Sequence, residues 1–240
     1  MKIITVSGPA SAGKTSIILH IAHIYMASGK KVGVAKFDCL ATEDDELYAK
    51  NGIEVLTGLS GNLCPDHFYV SSVLTCNDWG KEKGLDVLFL ESAGLCNRCS
   101  PHLKDIASIC VIDNLMGAKT PRKIGPMLKK ADIVAVTKGD VVSQAEREVF
   151  SFYVRQANPN AVIFQVNGIT GQGCLELSQL LTQTGKAELD DFYLRFTMPA
   201  AVCAYCVGER HLQNECRLAT MKEMREYEQR LPFFDNRAGL

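Results

Sequence analysis

The sequence lacks the features that mark membrane proteins, secreted proteins and nucleic-acid-binding proteins. No apolar run reaches the ~20 residues that a membrane-spanning helix needs, although 47% of the 240 residues are hydrophobic. Residues 1–7 are too few for the apolar region of a secretion signal. The formal net charge is -1 at pH 7, so no basic field favours nucleic acid or an anionic membrane. We therefore expect a cytoplasmic globular protein without a membrane or nucleic-acid partner.

Cysteine, by contrast, is abundant, with ten residues in the chain. Because no export signal is predicted, we expect reduced thiols, and clusters of thiols indicate a bound metal. Four cysteines are isolated in apolar or loop surroundings, and we interpret them as packing residues. These are Cys39, Cys76, Cys110 and Cys174.

Short apolar runs alternate with helical patterns from the first residue to about Gly185. A strand at 3–6 precedes a helix at 14–27, and the pattern continues to a helix at 174–183, with a further helix predicted at 65–75. This alternation predicts an α/β fold with a mostly parallel sheet flanked by helices, and ligands at the carboxyl ends of the strands. We predict one domain over 1–186 and a small metal-binding extension over 187–240, which includes a charged helix at about 214–230.

Residues 8–15 read G-P-A-S-A-G-K-T and match the phosphate-binding loop G-x-x-x-x-G-K-[ST]. The loop follows a predicted strand and opens a predicted helix, so its backbone N–H groups and the helix N-terminus can bind phosphates. Lys14 should reach the β- and γ-phosphates, and the Thr15 hydroxyl should bind Mg²⁺. The predicted nucleotide-binding residues of this loop are Gly8, Ser11, Ala12, Gly13, Lys14, Thr15 and Ser16. The sequence therefore predicts an α/β P-loop NTPase.

A second segment, T-K-G-D at 137–140, ends a predicted strand. GTPases carry [NT]-K-x-D at this place, where the Asp carboxylate accepts hydrogen bonds from guanine N1 and N2. Adenine offers no matching donors, so an Asp there selects GTP. We assign Thr137, Lys138 and Asp140 to the base site, together with Asn167 in the loop after the next strand.

Two acidic residues end predicted strands near the phosphate-binding loop. Asp38 is placed to contact Mg²⁺, directly or through water. Glu91 begins E-S-A-G at 91–94, where the acid can organise Mg²⁺ or water and the Gly94 N–H can face the γ-phosphate. We predict Lys14, Asp38 and Glu91 as catalytic residues, with Thr15, Asp38 and Glu91 around Mg²⁺.

Six segments in order resemble the nickel-metallochaperone GTPases UreG and HypB. They are D-C-L-A-T-E-D at 38–44, T-G-L-S-G-N-L-C-P-D-H at 57–67, E-S-A-G at 91–94, G-A-K-T-P-R-K-I-G-P at 117–126, T-K-G-D at 137–140 and T-G-Q-G at 170–173. The resemblance covers about residues 1–184. It implies a SIMIBI-class GTPase that forms a homodimer around GTP and passes nickel, or another transition metal, to an enzyme under assembly.

The resemblance also implies a metal-binding pair, Cys64 and His67. Here Asp66 separates Pro65 from His67, so the ligands are three residues apart, whereas the family spacing is two. One thiolate and one imidazole from each of two subunits would give a four-ligand site. Cys96 and Cys99, which follow the Glu91 loop, are a second candidate pair for the transferred metal or half of an Fe–S cluster.

The extension carries C-x₂-C-x₄-H-x₄-C, the ligand spacing of a zinc knuckle. Its residues are Cys203, Cys206, His211 and Cys216. Zn²⁺ and an Fe–S cluster are both consistent with this set, and UreG has no such tail.

Three functions follow from these patterns. The first is a GTP-hydrolysing accessory protein that delivers a transition metal to a client metalloenzyme or its accessory proteins, with nickel as the favoured metal. The second is a nucleotide-switch maturation factor for an Fe–S, CO-dehydrogenase-like or cobalamin enzyme. The third is a non-catalytic metal-binding adaptor.

Overall fold

The fold is a parallel β-sheet of seven strands with one short antiparallel strand at its edge. The computed structural model describes residues 1–61, 64–95, 100–185, 191–197, 210–212 and 224–226. The strands are β1 (Lys2–Ser7), β2 (Val32–Asp38), β3 (Glu54–Leu59), β4 (Val87–Glu91), β5 (Ala107–Asp113), β6 (Ile133–Thr137), β7 (Val162–Gln165) and β8 (Met224–Glu226). The helices are α1 (Lys14–Ala27), α2 (Asp44–Lys50), α3 (Pro65–Glu82), α4 (Pro126–Lys129), α5 (Gln144–Ala157) and α6 (Cys174–Gln183). The α/β prediction is confirmed.

The strand order is β7-β6-β5-β1-β4-β2-β3-β8, so β1 lies in the middle of the sheet. Helices α1 and α6 pack on one face and α3 and α5 on the other, each through apolar side chains that alternate along the strands. The loop after β1 therefore opens between β4 and β5, where open parallel sheets bind ligands. None of the described helices is both long and apolar enough to cross a membrane.

Two predicted elements differ from the structure. Helix α3 continues beyond residue 75 to Glu82, although Gly80 is a weak helix former. Gly80 is accommodated because Met1 packs over it, and a Cβ there would lie 2.5 Å from the Met1 sulfur. The helix predicted at 214–230 is wrong at Met224–Glu226, which pairs antiparallel with β3. Met224 packs against the core beside Gly58, so tertiary contact overrides the local helical pattern.

The described part of the extension is tied to the sheet by Arg195. Its guanidinium donates to both Asp132 carboxylate oxygens, at 2.8 and 2.7 Å, and to the Leu103 carbonyl at 2.7 Å. Three apolar side chains of the extension are buried in the same core cluster as α3, namely Phe192, Leu194 and Leu212. Residues on the far side of position 186 thus pack on the sheet of the first domain.

A fully buried histidine braces β1 immediately before the phosphate-binding loop. His102 Nδ1 lies 3.0 Å from the Thr5 hydroxyl, and Nε2 lies 3.1 Å from the Ser7 hydroxyl and 3.0 Å from the Met127 carbonyl. Burial, followed by the positive charge of Arg195, lowers the pKa of His102 to about 4. The imidazole is therefore neutral at neutral pH and serves as a structural link.

We expect the stability of the protein to fall as the pH is lowered from about 6.5 to about 4. The unfolded chain takes up a proton on His102 in this window, whereas the folded protein does not, so protonation favours unfolding. The lowering of the pKa from 6.5 to about 4 corresponds to roughly 3 kcal/mol. Urea unfolding across this window should show a smaller pH dependence in His102→Gln than in His23→Gln, whose side chain is exposed. An equal pH dependence of the unfolding free energy in both variants would contradict the lowered pKa of His102.

Candidate nucleotide-binding site

The loop between β1 and α1 is packed so closely that glycine is required at Gly8 and at Gly94. Gly8 has a φ of +148°, and a Cβ there would lie 2.0 Å from the Val111 carbonyl oxygen on β5. Gly94, in the loop after β4, has a φ of +80°, and its Cβ would lie 2.0 Å from the Gly8 carbonyl oxygen. The Ala10 N–H donates to the Gly94 carbonyl at 3.1 Å. The two loops therefore touch through their backbones, and movement of one must displace the other.

Lys14, the lysine of the phosphate-binding loop, is held inside that loop. Its ammonium donates to the Gly8 carbonyl at 3.0 Å and to the Pro9 carbonyl at 2.9 Å. Burial lowers the pKa of Lys14, and the nearby Glu91 carboxylate partly opposes that shift. The ammonium is thus already placed among the backbone groups of the loop, where it can meet a bound phosphate.

Three donors converge on the Glu91 carboxylate at the end of β4. The Thr15 hydroxyl lies 2.9 Å from it, the Lys36 ammonium 3.0 Å and the Tyr48 hydroxyl 2.7 Å. Asp44, in the first turn of α2, joins this cluster at 2.5 Å from the Lys36 ammonium and 3.2 Å from the Thr15 hydroxyl. Glu91 is completely buried, so these contacts fix its carboxylate.

Opposite charges within this cluster make its burial in the protein interior possible. Burial opposes the charge of Lys36, but Glu91 and Asp44 together outweigh burial and raise the pKa of Lys36. Burial and the Glu91 carboxylate raise the pKa of Tyr48 well above its usual value. Lys36 therefore stays charged and Tyr48 stays a neutral hydrogen-bond donor. A buried carboxylate is stable only when it has partners of this kind.

The oxygen atoms of Thr15, Glu91 and Asp44 fit a magnesium ion. The Thr15 hydroxyl directs its single proton towards the carboxylates, which leaves its oxygen lone pairs free for a cation. Hydroxyl and carboxylate oxygens are the ligands that Mg²⁺ takes in nucleotide sites. The sequence analysis placed Asp38 here, but in the described residues its carboxylate accepts a hydrogen bond from the Cys39 N–H at 2.8 Å and none from Thr15. Asp44 is the acid that lies beside Thr15.

The predicted base segment is anchored to the phosphate-binding loop. The Thr137 hydroxyl donates to the Ala12 carbonyl at 2.7 Å, and the Lys138 ammonium donates to the Ser11 carbonyl at 2.8 Å. Asp113, at the end of β5, forms an ion pair with Lys138 at 3.1 Å. The helix residue Ser16 lies close to the loop that follows Asn167, since a Cβ at position 168 would be 3.3 Å from the Ser16 Cβ.

Beside this segment is a surface cavity of about 150 Å³. Its lining residues come from the base segment, α5, the end of β7 and the loop after it, and they are Gly139, Asp140, Arg147, Gln165, Val166, Asn167 and Gln172. Asn167 closes its own loop by accepting hydrogen bonds from the N–H groups of residues 169 and 170, at 2.8 and 3.0 Å. The structure thus brings Asp140 and Asn167 to one cavity adjoining the phosphate-binding loop.

This geometry agrees with the comparison of the sequence with known protein families. Residues 2–165 match the CobW/HypB/UreG nucleotide-binding domain. The chain is a member of the CobW/HypB/UreG family.

Individual members of the family extend the comparison. An uncharacterized protein of Methanocaldococcus jannaschii is 47% identical over 216 residues, which are 90% of this chain and 92% of that protein. The urease accessory protein UreG of Yersinia pestis is 32% identical over 193 residues, covering 74% of this chain and 87% of UreG. The crystal structure of HypB from Helicobacter pylori in complex with nickel has the same fold, with a TM-score of 0.63 at 17% identity over 79% of this chain and 91% of HypB. The resemblance to UreG and HypB is confirmed.

The family's Cys-Pro segment lies at the start of α3. Cys64 is the residue that caps the helix, Pro65 occupies its first turn and His67 follows in the same turn. The His67 side chain is buried, and its Nε2 has no hydrogen-bond partner among the described residues. Three-residue spacing brings side chains together within a helix, whereas Cys64 is the extended residue that precedes the first turn. In the described residues no group of three or more Cys, His, Asp or Glu side chains is arranged to hold a metal, so this pair forms at most half of a site.

The other predicted metal ligands are placed only in part. Cys96, Cys99, Cys203, Cys206 and Cys216 lie outside the described residues. The His211 ring stacks on Tyr193 with centroids 4.4 Å apart, and its Nε2 lies 3.2 Å from an Asp191 carboxylate oxygen. Metal-binding histidines commonly hydrogen-bond a carboxylate through the second ring nitrogen. Zn²⁺ or an Fe–S cluster in the extension stays a prediction.

Four residues of the Glu91 cluster and of the Asp140 cavity were missed by the sequence analysis: Lys36, Asp44, Tyr48 and Arg147. The signal for Lys36 was present, because a lysine inside the apolar strand V-G-V-A-K-F-D must find a carboxylate if the strand is buried. Tyr48 and Arg147 stand on helices among other polar residues. Nothing in those patterns distinguishes them from ordinary surface positions.

Removal of the Lys36 ammonium should strongly destabilise the nucleotide-free protein. Lys36→Met leaves Glu91 buried without a cationic partner, a change that costs about 3–5 kcal/mol. Lys50→Met breaks an exposed ion pair with Glu46 at 2.8 Å and should change the free energy of unfolding by less than about 0.5 kcal/mol.

The measurement is urea unfolding of both variants and of the double variant Lys36→Met/Glu91→Gln. The neutral amide that replaces the Glu91 carboxylate in the double variant should recover part of the loss, because the uncompensated charge is gone. A Lys36→Met protein that is no less stable than Lys50→Met would show that the cluster does not hold α1, β2 and α2 together.

Proposed function

We propose that this protein hydrolyses GTP and uses the hydrolysis cycle to bind a transition metal and to deliver it to a metalloenzyme under assembly. Nickel is the first candidate for this metal. The observation that carries the proposal is the backbone contact of Gly94 with Gly8, beside the cluster of Thr15, Glu91 and Asp44. Through this contact, the state of the phosphates can change the loop after β4. The names of the relatives support the cargo, since UreG serves urease and the HypB structure contains nickel.

The hydrolytic step relies on positions that the protein fixes in advance. Lys14 and the backbone N–H groups of its loop stabilise the charge of the β- and γ-phosphates. Thr15, Glu91 and Asp44 would hold Mg²⁺, which would supply positive charge to the same phosphates. Asp38, half-buried at the end of β2, is our candidate for orienting the attacking water. Because Glu91 has three donors, its carboxylate needs no reorganisation during the reaction.

Substitution of Lys14 by Ala should reduce GTP hydrolysis at least about a hundredfold, the effect of removing one donor to the developing charge. Lys129→Ala, which removes an exposed lysine of α4, should hydrolyse GTP like the unmodified protein. Phosphate release with GTP and Mg²⁺ measures both. Ordinary turnover by Lys14→Ala would exclude this loop as the catalytic site.

Metal binding at Cys64 and His67 requires a second pair of ligands. The thiolate and the unpaired imidazole nitrogen are donors that suit Ni²⁺ and Zn²⁺, but the described part of one chain offers no third and fourth ligand nearby. A second copy related by two-fold symmetry supplies an identical pair. We therefore propose a homodimer in the GTP state whose formation completes the metal site.

Light scattering and metal analysis of each chromatographic peak test this arrangement, with Ni²⁺ present and with either GDP or a non-hydrolysable GTP analogue. We expect a dimer only with the analogue, carrying about one extra metal ion, as a paired half-site requires. His67→Ala should lose the extra metal and retain the dimer, whereas His23→Ala, on the exposed side of α1, should retain both. Full metal binding by His67→Ala would exclude this pair as the cargo site.

A further inference from the structure

The cavity beside the base segment contains an acid and a guanidinium that do not pair with each other. Asp140 and Arg147 both line it, yet among the described residues no ion pair joins them. An exposed Asp and an Arg that share so small a space would normally form a bidentate pair. The Asp140 carboxylate can therefore accept hydrogen bonds, and the Arg147 guanidinium can donate them, into the same cavity. A ligand that carries both donors and acceptors would suit this arrangement.

The hydrogen-bonding capacity of Arg147 is not fully used within the described residues. Its Nε is buried and has no hydrogen-bond partner among the described residues. A buried N–H without a partner costs free energy, and such groups are uncommon in folded proteins. The guanidinium carries five N–H donors and no acceptor, so a ligand that meets it must present acceptor atoms.

The position of Arg147 is fixed by the base segment itself. A Cβ at Gly139 would lie 3.0 Å from the Arg147 Cδ, so the aliphatic part of the arginine packs against the T-K-G-D backbone. The same packing explains why the residue between Lys138 and Asp140 is glycine. Arg147 lies in the first turns of α5, whose start is held by a complete capping box of Ser143 and Glu146. The guanidinium is therefore presented from a rigid helix start.

We propose that Arg147 determines base specificity together with Asp140. Asp140 accepts hydrogen bonds from guanine N1 and N2, and Arg147 donates to guanine O6 and N7. Adenine carries an amino group in place of O6, so it would set donors against the donors of Arg147. Arg with O6 and N7 is the commonest specific contact of proteins with guanine in nucleic acids. This inference rests on the proposed use of GTP and adds a second residue to its recognition.

Two triphosphates separate the contributions of the two residues. Inosine triphosphate lacks only the 2-amino group and therefore reports the Asp140 contact. The triphosphate of 2,6-diaminopurine keeps the 2-amino group but has an amino group at position 6 and no N1 proton, so it loses the O6 contact with Arg147 and also the N1 contact with Asp140. The contribution of Arg147 is therefore isolated by the change that its substitution causes in the affinity ratio of GTP to this nucleotide. Calorimetric affinities for GTP and both analogues should be measured on each protein. Ratios of affinities from one sample do not depend on the fraction of protein that is folded.

We expect Arg147→Ala to lower the preference for GTP over the diaminopurine nucleotide by roughly five- to one-hundredfold, the discrimination of a bidentate arginine contact. The preference for GTP over the inosine nucleotide should stay unchanged. Arg147→Lys, which keeps the charge but not the paired donors, should also lower the first preference. Arg155→Ala, the matched control, removes an exposed arginine near the other end of α5 and should change neither ratio.

Other outcomes would overturn the inference in distinguishable ways. Equal losses for all three nucleotides in Arg147→Ala would mean that the arginine supports the loop or stacks on the base without reading its edge. An unchanged GTP preference in that variant would show that Asp140 selects guanine without it. Failure of the unmodified protein to bind any of the three nucleotides would overturn the proposed GTPase function, and this inference with it.

Discussion

The organisation of the nucleotide site depends on the buried carboxylate of Glu91. A carboxylate with no exposure must be compensated on every side, and here the compensating groups come from three different segments. Thr15 belongs to the start of α1, Lys36 to β2 and Tyr48 to α2. One interior charge therefore joins the start of α1 to β2 and α2. Because Glu91 also precedes the loop that contains Gly94, that loop starts from the same fixed point.

Two lysines balance the charges of the two carboxylates in this region. Lys14 and Lys36 offset Asp44 and Glu91, so the carboxylates are gathered before any magnesium or phosphate arrives. A nucleotide with its metal then adds charges to a region that is already neutral and ordered. Such preorganisation lowers the reorganisation needed in the reaction. It also means that GTP binding can be sensed by small shifts of the Gly94 loop against Gly8, since the backbones have no space between them.

Much of this could be predicted from the sequence. The alternation of strands and helices predicted the sheet and the helices α1, α3 and α6, because burial on both faces of parallel strands imposes continuous apolar runs. The phosphate-binding loop was recognisable because its close backbone packing requires glycine, and T-K-G-D because it follows a strand, β6, as the motif demands. What failed was decided by a contact between residues far apart in sequence, since Met224 joins β3 instead of a helix. The contact of Asp44 with Thr15 was not predicted, because packing and not spacing decides which of several nearby acids turns inward.

The same distinction separates the two ends of the nucleotide site. At the phosphate end, the ligand is recognised by backbone groups and by charges that the motif specifies, so sequence patterns identify the residues. At the base end, the recognising groups stand on the side chains of separate elements, and only Asp140 belongs to a motif. Arg147 becomes recognisable through its packing on Gly139, its unpaired Nε and its place in the Asp140 cavity. In the proposed site, a substitution of Arg147 on α5 would therefore change base specificity without changing the phosphate-binding loop, because the two groups of contacts lie on separate elements.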